Sequence, residues 1–307
     1  MTTTIQRKGR IRRDFKRNWN VYLIALPVVA FYIIFHYVPM AGIVIAFQKY
    51  IPSKGIFGSP FVGFENFRSF FNSMYCWRTI SNTFILSLYD LAVGFPIPIV
   101  FALLLNEIRN KPYKRVVQTV TYMPFFISIV VVCGMITDAF KSSGPLSTII
   151  TSMGGPTGNL LGKPTMFRGI FVYTNLWQNM GSNSIILVAT LTTIDPELYE
   201  AATLDGANRL QKAIHVTLPG IMSTIIILLI LRIGSLMTVS FEKIILLYSP
   251  STYSVSDVIS TFVYRRGIEN MEFGYSTAVG LFNSLCNFAL LLMANAFSRH
   301  FSETSLF

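Results

Sequence analysis

Asp90 and Arg232 are the residues whose placement in this chain most asks for chemistry, because each sits deep inside a long apolar run. Asp90 lies ten residues into its run, or about 15 Å at the helical rise of about 1.5 Å per residue. Arg232 lies thirteen residues after Pro219, or about 20 Å along a helix. A lone charge at such depth in a bilayer is costly, so each needs a partner. Either the two pair with each other, or Arg232 faces a water-filled path and meets a ligand group, or each has another partner. A planar guanidinium would suit a carboxylate such as that of a uronate.

Polar side chains recur at helical spacing in three apolar runs. Asn175, Asn179, Ser182 and Asn183 share one face, with Trp177 nearby. Arg232, Ser235, Val239 and Glu242 share a second, and Ser276, Gly280, Asn283 and Asn287 a third. Amides, hydroxyls and a stacking aromatic in an apolar surround suit a ligand rich in hydroxyl groups. The candidate pathway residues are therefore Asn175, Trp177, Asn179, Asn183, Arg232, Ser235, Asn283 and Asn287. The competing reading is that such residues hold helices together by close packing and interhelical hydrogen bonds. Glu242 and Lys243 are expected near the outer end of their run, solvated at a cavity mouth.

Several chemistries find no support. Asp90, Asp138 and Glu242 fall in separate runs without a catalytic motif. Cys76, Cys133 and Cys286 are scattered, and His36, His215 and His300 are far apart, which argues against a disulfide framework or a metal site. The chain holds no GxxxxGK[ST] loop to cradle a nucleotide. A net charge of +11 raises nucleic acid as a partner. Seven of the basic residues, however, lie in the first seventeen positions, as a tail suited to anionic lipid.

The elements that must position these residues are membrane helices. Of 307 residues, 52% are hydrophobic and 13% charged, about half the charged share usual in soluble domains. Mean hydropathy is +0.53. The expectation is an all-α, polytopic membrane protein with a basic tail over 1–20, a transmembrane domain over 21–298 and a short tail over 299–307. Six spans are expected at 22–47, 80–105, 116–140, 167–191, 221–247 and 275–296. Pro27 and Pro39 are placed to kink the first, which has no cleavage site after it. Between spans one and two, Phe64, Phe67, Phe71 and Met74 predict a short helix, lying on the membrane or over the bundle mouth. Residues 142–163 read as a loop and 249–273 as a polar connection. With both termini in the cytoplasm, inner segments hold fourteen basic residues and the longer outer ones ten, the sign the positive-inside rule requires.

The stretch 196–219, PELYEAATLDGANRLQKAIHVTLP, is built differently. Asp195 can cap a helix that starts at Pro196. Gly206 interrupts it, as a left-handed turn requires, and 208–216 can form a second short helix. Small Ala201 and Ala202 permit a close approach, beside Leu198 and Tyr199 as apolar anchors. The result is a knob of two helices between two spans.

Glu200-Ala201-Ala202, Gly206 and, nine residues on, Val216-x-Leu218-Pro219 resemble the EAA loop of ABC importer permeases, with Val216 where the family has Ile. The opening WNVYLIALPVVAFYIIFHYVPM, the GFENF segment, SFEKIILLYSP and SDVISTFVYRRG extend the resemblance over nearly the whole chain, to the oligosaccharide subgroup of these permeases. Within that subgroup it is most similar to the six-span branch that imports multiple sugars, alginate or pectin-derived oligosaccharides. The resemblance implies the type I importer permease fold, in a bacterial cell membrane. It implies that Leu198, Tyr199, Glu200, Ala201, Ala202, Asp205, Gly206, Leu218 and Pro219 form a cytoplasmic coupling helix loop that inserts into an ATPase cleft. It also implies a second, homologous permease subunit, two ATPase subunits that bind the ATP and Mg, and an extracellular solute-binding protein. No cofactor, metal or nucleic acid is expected in this chain itself. The large insertion of the maltose-type larger subunit has no counterpart, because the loop 49–78 is short.

Three other readings stand beside this one. A secondary transporter would show paired repeats, which are not evident here. A membrane-embedded enzyme would need the carboxylate or His cluster that is missing. A permease for amino acids or ions would share the docking loop, so only the subgroup resemblance and the amide stripes favour sugar.

Overall fold

The computed structural model describes residues 17–301, so most of the basic tail and residues 302–307 lie outside it. Among the described residues the chain is helical almost throughout, with a single isolated bridge between Gln48 and Phe61. The first helical run, α1, spans Trp19–Phe47 and is apolar on all sides. Apart from Ala46 it buries almost nothing against the rest of the chain. A π-turn at Ile33–Tyr37 ends two residues before Pro39. Proline removes a donor and crowds the carbonyl four residues back, and a widened turn relieves both.

The predicted helix between the first two spans is present as α2 (Glu65–Phe71). Its buried anchor is Phe70, which meets Phe262, Tyr275 and Phe282. Phe64, Phe71 and Met74 face outward. The second span is a pair, α3 (Met74–Gly94) and α4 (Pro96–Glu107), broken at Phe95 where Pro96 cannot continue the ladder.

The expected third span, 116–140, is not one helix. It divides into α5 (Lys111–Tyr122), a 3-10 turn at Met123–Phe126 containing Pro124, and α6 (Ile129–Phe140). The expected loop 142–163 contains α7 (Pro145–Ser152). The fourth span is α8 (Pro164–Leu191), 28 residues long and central to the bundle. Gly181 lets α8 lie against α5, since a Cβ there would come within 2.3 Å of the Thr121 carbonyl oxygen.

The knob follows as α9 (Pro196–Leu204) and α10 (Arg209–Gly220). The expected fifth span, 221–247, is also interrupted. It comprises α11 (Met222–Gly234), bent by 62° from α10, a non-helical segment at 235–240, and α12 (Phe241–Leu247). The connection 249–273 is more ordered than its polarity implies, containing α13 (Ile259–Tyr264) and a fully buried Asp257. The last helix, α14, spans Phe273–Phe301.

By length and apolarity, four helical runs among the described residues could cross a membrane, or five with the bent α10–α11 pair. α8 has the length but not the hydropathy, because its polar stripe dilutes it. Among the described residues, three apolar clusters hold the bundle. One joins α3, α6, α8 and α12 around Leu86, Val132, Phe171 and Ile244. A second joins α2, α13 and α14 around Phe70, Phe262 and Val279. The third packs α4, α8 and α11 around Ala102, Leu187 and Ile225.

Candidate functional site

Two places in this scaffold gather the residues singled out above. The first is a polar cavity of about 290 Å³ between α3, α8, α11 and the segment 235–240. The Arg232 guanidinium donates to Asp90 Oδ2 across it. Asn175 Nδ2 donates to Asp90 Oδ1 at 2.7 Å, so both carboxylate oxygens are engaged. Asn179 Nδ2 donates to Asn175 Oδ1 at 3.0 Å and to its carbonyl at 2.9 Å. The amide stripe of α8 is thus a relay that orients Asn175 toward Asp90. Asn183 and Ser235 complete the wall and also border a second, more apolar cavity of about 270 Å³ beside the α3–α4 break. Asn175, Asn179, Asn183, Arg232 and Ser235 therefore converge on one space.

The other candidates lie elsewhere. Trp177 lines an apolar cavity of about 590 Å³ on another face of α8, among Met135, Ile136 and Ile170. Asn283 lies on α14 beside Phe241 and Tyr264, in a separate cleft. Asn287 acts as a clamp. Its Oδ1 accepts from the Met237 amide at 2.8 Å, and its Nδ2 donates to Thr238 Oγ1 at 3.0 Å. Those bonds supply partners to backbone and side chain in the unwound segment 235–240, which cannot supply them in a helical ladder.

Lys243 overturns its expectation. It is fully buried, not solvated at a mouth, while neighbouring Glu242 is exposed. Among the described residues its Nζ has no hydrogen-bond partner, and it stands 5.5 Å from the centroid of the Phe171 ring. The interruption at 235–240 rotates α12 away from the register that an unbroken helix would impose.

A charged network missed by the sequence reading closes one end of the bundle. Asp257, fully buried, accepts from Arg78 Nη2 at 3.1 Å and Arg265 Nη2 at 2.7 Å, and from Thr261 Oγ1 at 3.1 Å. Asn82 extends it, donating to the Asp257 carbonyl at 3.2 Å and accepting from Arg168 Nη2 at 2.7 Å. Arg78, Arg168 and Arg265 are among the ten basic residues that the positive-inside pattern assigns to the outer side. The available signal was an isolated Asp ahead of a VISTFVY run with Arg265 and Arg266 immediately after it.

The second place is the knob. Asp195 accepts from the Glu197 amide at 3.0 Å, capping α9. Gly206 has φ of +77°, and its amide donates to the Thr203 carbonyl while that of Ala207 donates to Ala202. That pair of bonds is a Schellman ending, which requires the left-handed residue. Asn208 and Gln211 then form a capping box that starts α10. Tyr199 Oη donates to Thr217 Oγ1 at 3.1 Å, and Lys212 Nζ to Thr203 Oγ1 at 2.7 Å, locking the two helices together. A π-turn at Ala213–Thr217 precedes Pro219, as one precedes Pro39. Leu218 is half-buried in the third cluster, while Leu198, Glu200, Ala201, Asp205 and Pro219 are exposed. Leu198, Leu204, Leu210 and Ile214 give the knob an exposed apolar surface.

The chain belongs to the binding-protein-dependent transport system inner membrane component family, whose pattern matches residues 94–303. It is 40% identical to the protein LplB of Bacillus subtilis (strain 168), over 95% of this chain and 92% of the relative. It is also 40% identical to the polygalacturonan/rhamnogalacturonan transport system permease protein YteP of the same organism, over 94% of this chain and 90% of that one. Among solved structures, it resembles a chain of a bacterial ABC transporter involved in the import of the acidic polysaccharide alginate. The TM-score is 0.89 at 39% identity, covering 96% of this chain and 100% of that one. The alginate transporter in complex with an alginate pentasaccharide-bound periplasmic protein gives the same TM-score at 40% identity, covering 97% and 100%. The chain is thus a translocation subunit of an ABC importer in a bacterial membrane.

Proposed function

We propose that the chain forms half of the translocation path of an ATP-driven importer for oligosaccharides carrying carboxylates, such as uronate-containing fragments. The observation that carries this reading is the polar cavity. A guanidinium, a carboxylate and three Asn amides converge there within an apolar bundle. Non-helical backbone at 235–240 borders the same space, and irregular backbone inside a bilayer is tolerated where it lines a cavity. Amides and hydroxyls of this kind match sugar hydroxyls, and Arg232 matches a carboxylate. The substrates in the names of YteP and the alginate transporter support an acidic saccharide.

The remaining parts of the machine follow. A second, homologous permease subunit supplies the other half of the path, against which the exposed α1 can pack. Two ATPase subunits bind ATP and Mg, since this chain has no phosphate loop. An extracellular solute-binding protein delivers the ligand, in line with the complex of the alginate transporter. Both termini and the knob lie in the cytoplasm, with six crossings between them, and the basic tail rests against anionic lipid. The knob's exposed Leu198, Glu200, Ala201 and Leu204 enter an ATPase cleft. Closure of the ATPases on ATP then tilts α9–α11 and, through Arg232, the wall of the cavity.

The test is reconstitution of the complete complex with its binding protein in vesicles. Uptake of an oligogalacturonate that requires ATP supports the reading. ATP-driven uptake of amino acids or ions only, or solute movement by this subunit with no ATPase, overturns it.

A further inference from the structure

One charge beside the polar cavity is left unbalanced. Lys243 is fully buried on α12, and among the described residues its ammonium has no hydrogen-bond partner. The ring of Phe171, 5.5 Å away, recovers only part of the hydration an ammonium loses on burial. Phe171 itself lines the polar cavity. The charges that face this region are Asp90 from α3 and Arg232 from α11, with the Cys133 thiol on α6 also within electrostatic reach of Lys243. Both oxygens of Asp90 are already taken, one by Arg232 and one by Asn175. One carboxylate thus serves two cations, and the cluster keeps one net positive charge next to an open polar space.

We infer that Lys243 is a specificity-determining residue whose unbalanced charge sets the polar cavity to take a saccharide unit bearing one carboxylate. The carboxylate occupies the cavity near Arg232 and Asn179, and Lys243 acts on it through space, from behind Phe171, without touching it. This rests on the acidic-saccharide reading above. A lysine kept for packing would show no such preference, since an apolar side chain of similar length would fill the same volume more favourably.

The experiment uses the assembled complex of permeases and ATPases in lipid nanodiscs, without the binding protein, so that the latter's selection does not enter. Binding of trigalacturonate is compared with binding of its methyl ester. The wild type should prefer the acid by about tenfold, the effect of one unit charge acting across several ångströms of partly screened protein. Lys243→Met should bring that ratio close to one. The double variant Asp90→Asn/Lys243→Met, which restores one net positive charge, should recover the preference. If Lys243→Met does not assemble, Lys243→Gln carries the same comparison. A wild-type preference that survives loss of Lys243, or that the double variant does not regain, overturns the role of Lys243 and leaves the acidic-saccharide reading standing. A wild type with no preference for the acid overturns both.

Discussion

Arg232 on α11 and Asp90 on α3, 142 residues apart in sequence, form an ion pair that ties the helix leaving the knob to the wall of the polar cavity. The side chains are 37% and 15% exposed, so the pair is only partly screened and borders open space. It also connects knob and cavity along one continuous stretch, because α11 follows α10 after a single bend.

Breaking that pair should damage both stability and transport. Arg232→Leu leaves Asp90 with Asn175 alone and should lower stability by about 1–3 kcal/mol. Arg232→Leu/Asp90→Leu should regain most of that stability without regaining uptake. Thermal unfolding of the purified complex and vesicle uptake read the two effects. Wild-type assembly and uptake in Arg232→Leu would refute any role for the pair.

Asp257 should be the more severe site. Asp257→Leu leaves Arg78 and Arg265 facing a buried gap and should cost about 3–5 kcal/mol. Loss of the complex from the membrane fraction, or a lowered unfolding midpoint, is the expected result. A variant as stable as wild type would mean that water reaches this network freely.

The amide wall of α8 and its aromatic neighbour should separate cleanly. Asn179→Ala removes the donor that orients Asn175 and should weaken uptake roughly tenfold, by one lost hydrogen bond of about 1.4 kcal/mol. Trp177→Ala, in the apolar cavity, should leave the acid-over-ester preference unchanged while lowering stability. An equal loss of uptake in both variants at equal stability would contradict the placement of the path.

The knob should tolerate no residue that cannot turn left-handed at Gly206. Gly206→Ala should cost about 1–2 kcal/mol locally. Gly206→Pro, whose φ is fixed near −65°, should abolish the Schellman ending and uncouple ATP hydrolysis from uptake. Glu200→Lys, exposed on α9, should reduce coupling without unfolding the permease. Substrate-stimulated ATPase activity is the measurement, and normal transport in both Gly206→Pro and Glu200→Lys would remove the knob from the mechanism.

Close packing at Gly181 gives an independent check on the helix arrangement. Gly181→Val should strain the α5–α8 contact by about 1–3 kcal/mol, because the Thr121 carbonyl leaves no room for a side chain. An unfolding midpoint equal to wild type would show that α5 does not lie there.

Local rules were enough for the knob. Asp195, Gly206, Asn208 and Pro219 act through backbone bonds within a few residues, so their order alone specifies α9, the left-handed turn and α10. Apolar length likewise announced α1 and α14 as membrane helices. Where a span breaks was not legible, because a proline or a Gly-Ser pair in an apolar run permits interruption without requiring it. Only the partner elements decide, as Asn287 does when it supplies hydrogen bonds to the unwound 235–240 segment. The same holds for charge. Sequence could say that Asp90 and Arg232 each needed a partner, but the bundle chose which, and it buried Lys243 and Asp257 where counting along the chain had put solvent. Burial depends on contacts between residues far apart in the chain, and those are set by packing in three dimensions.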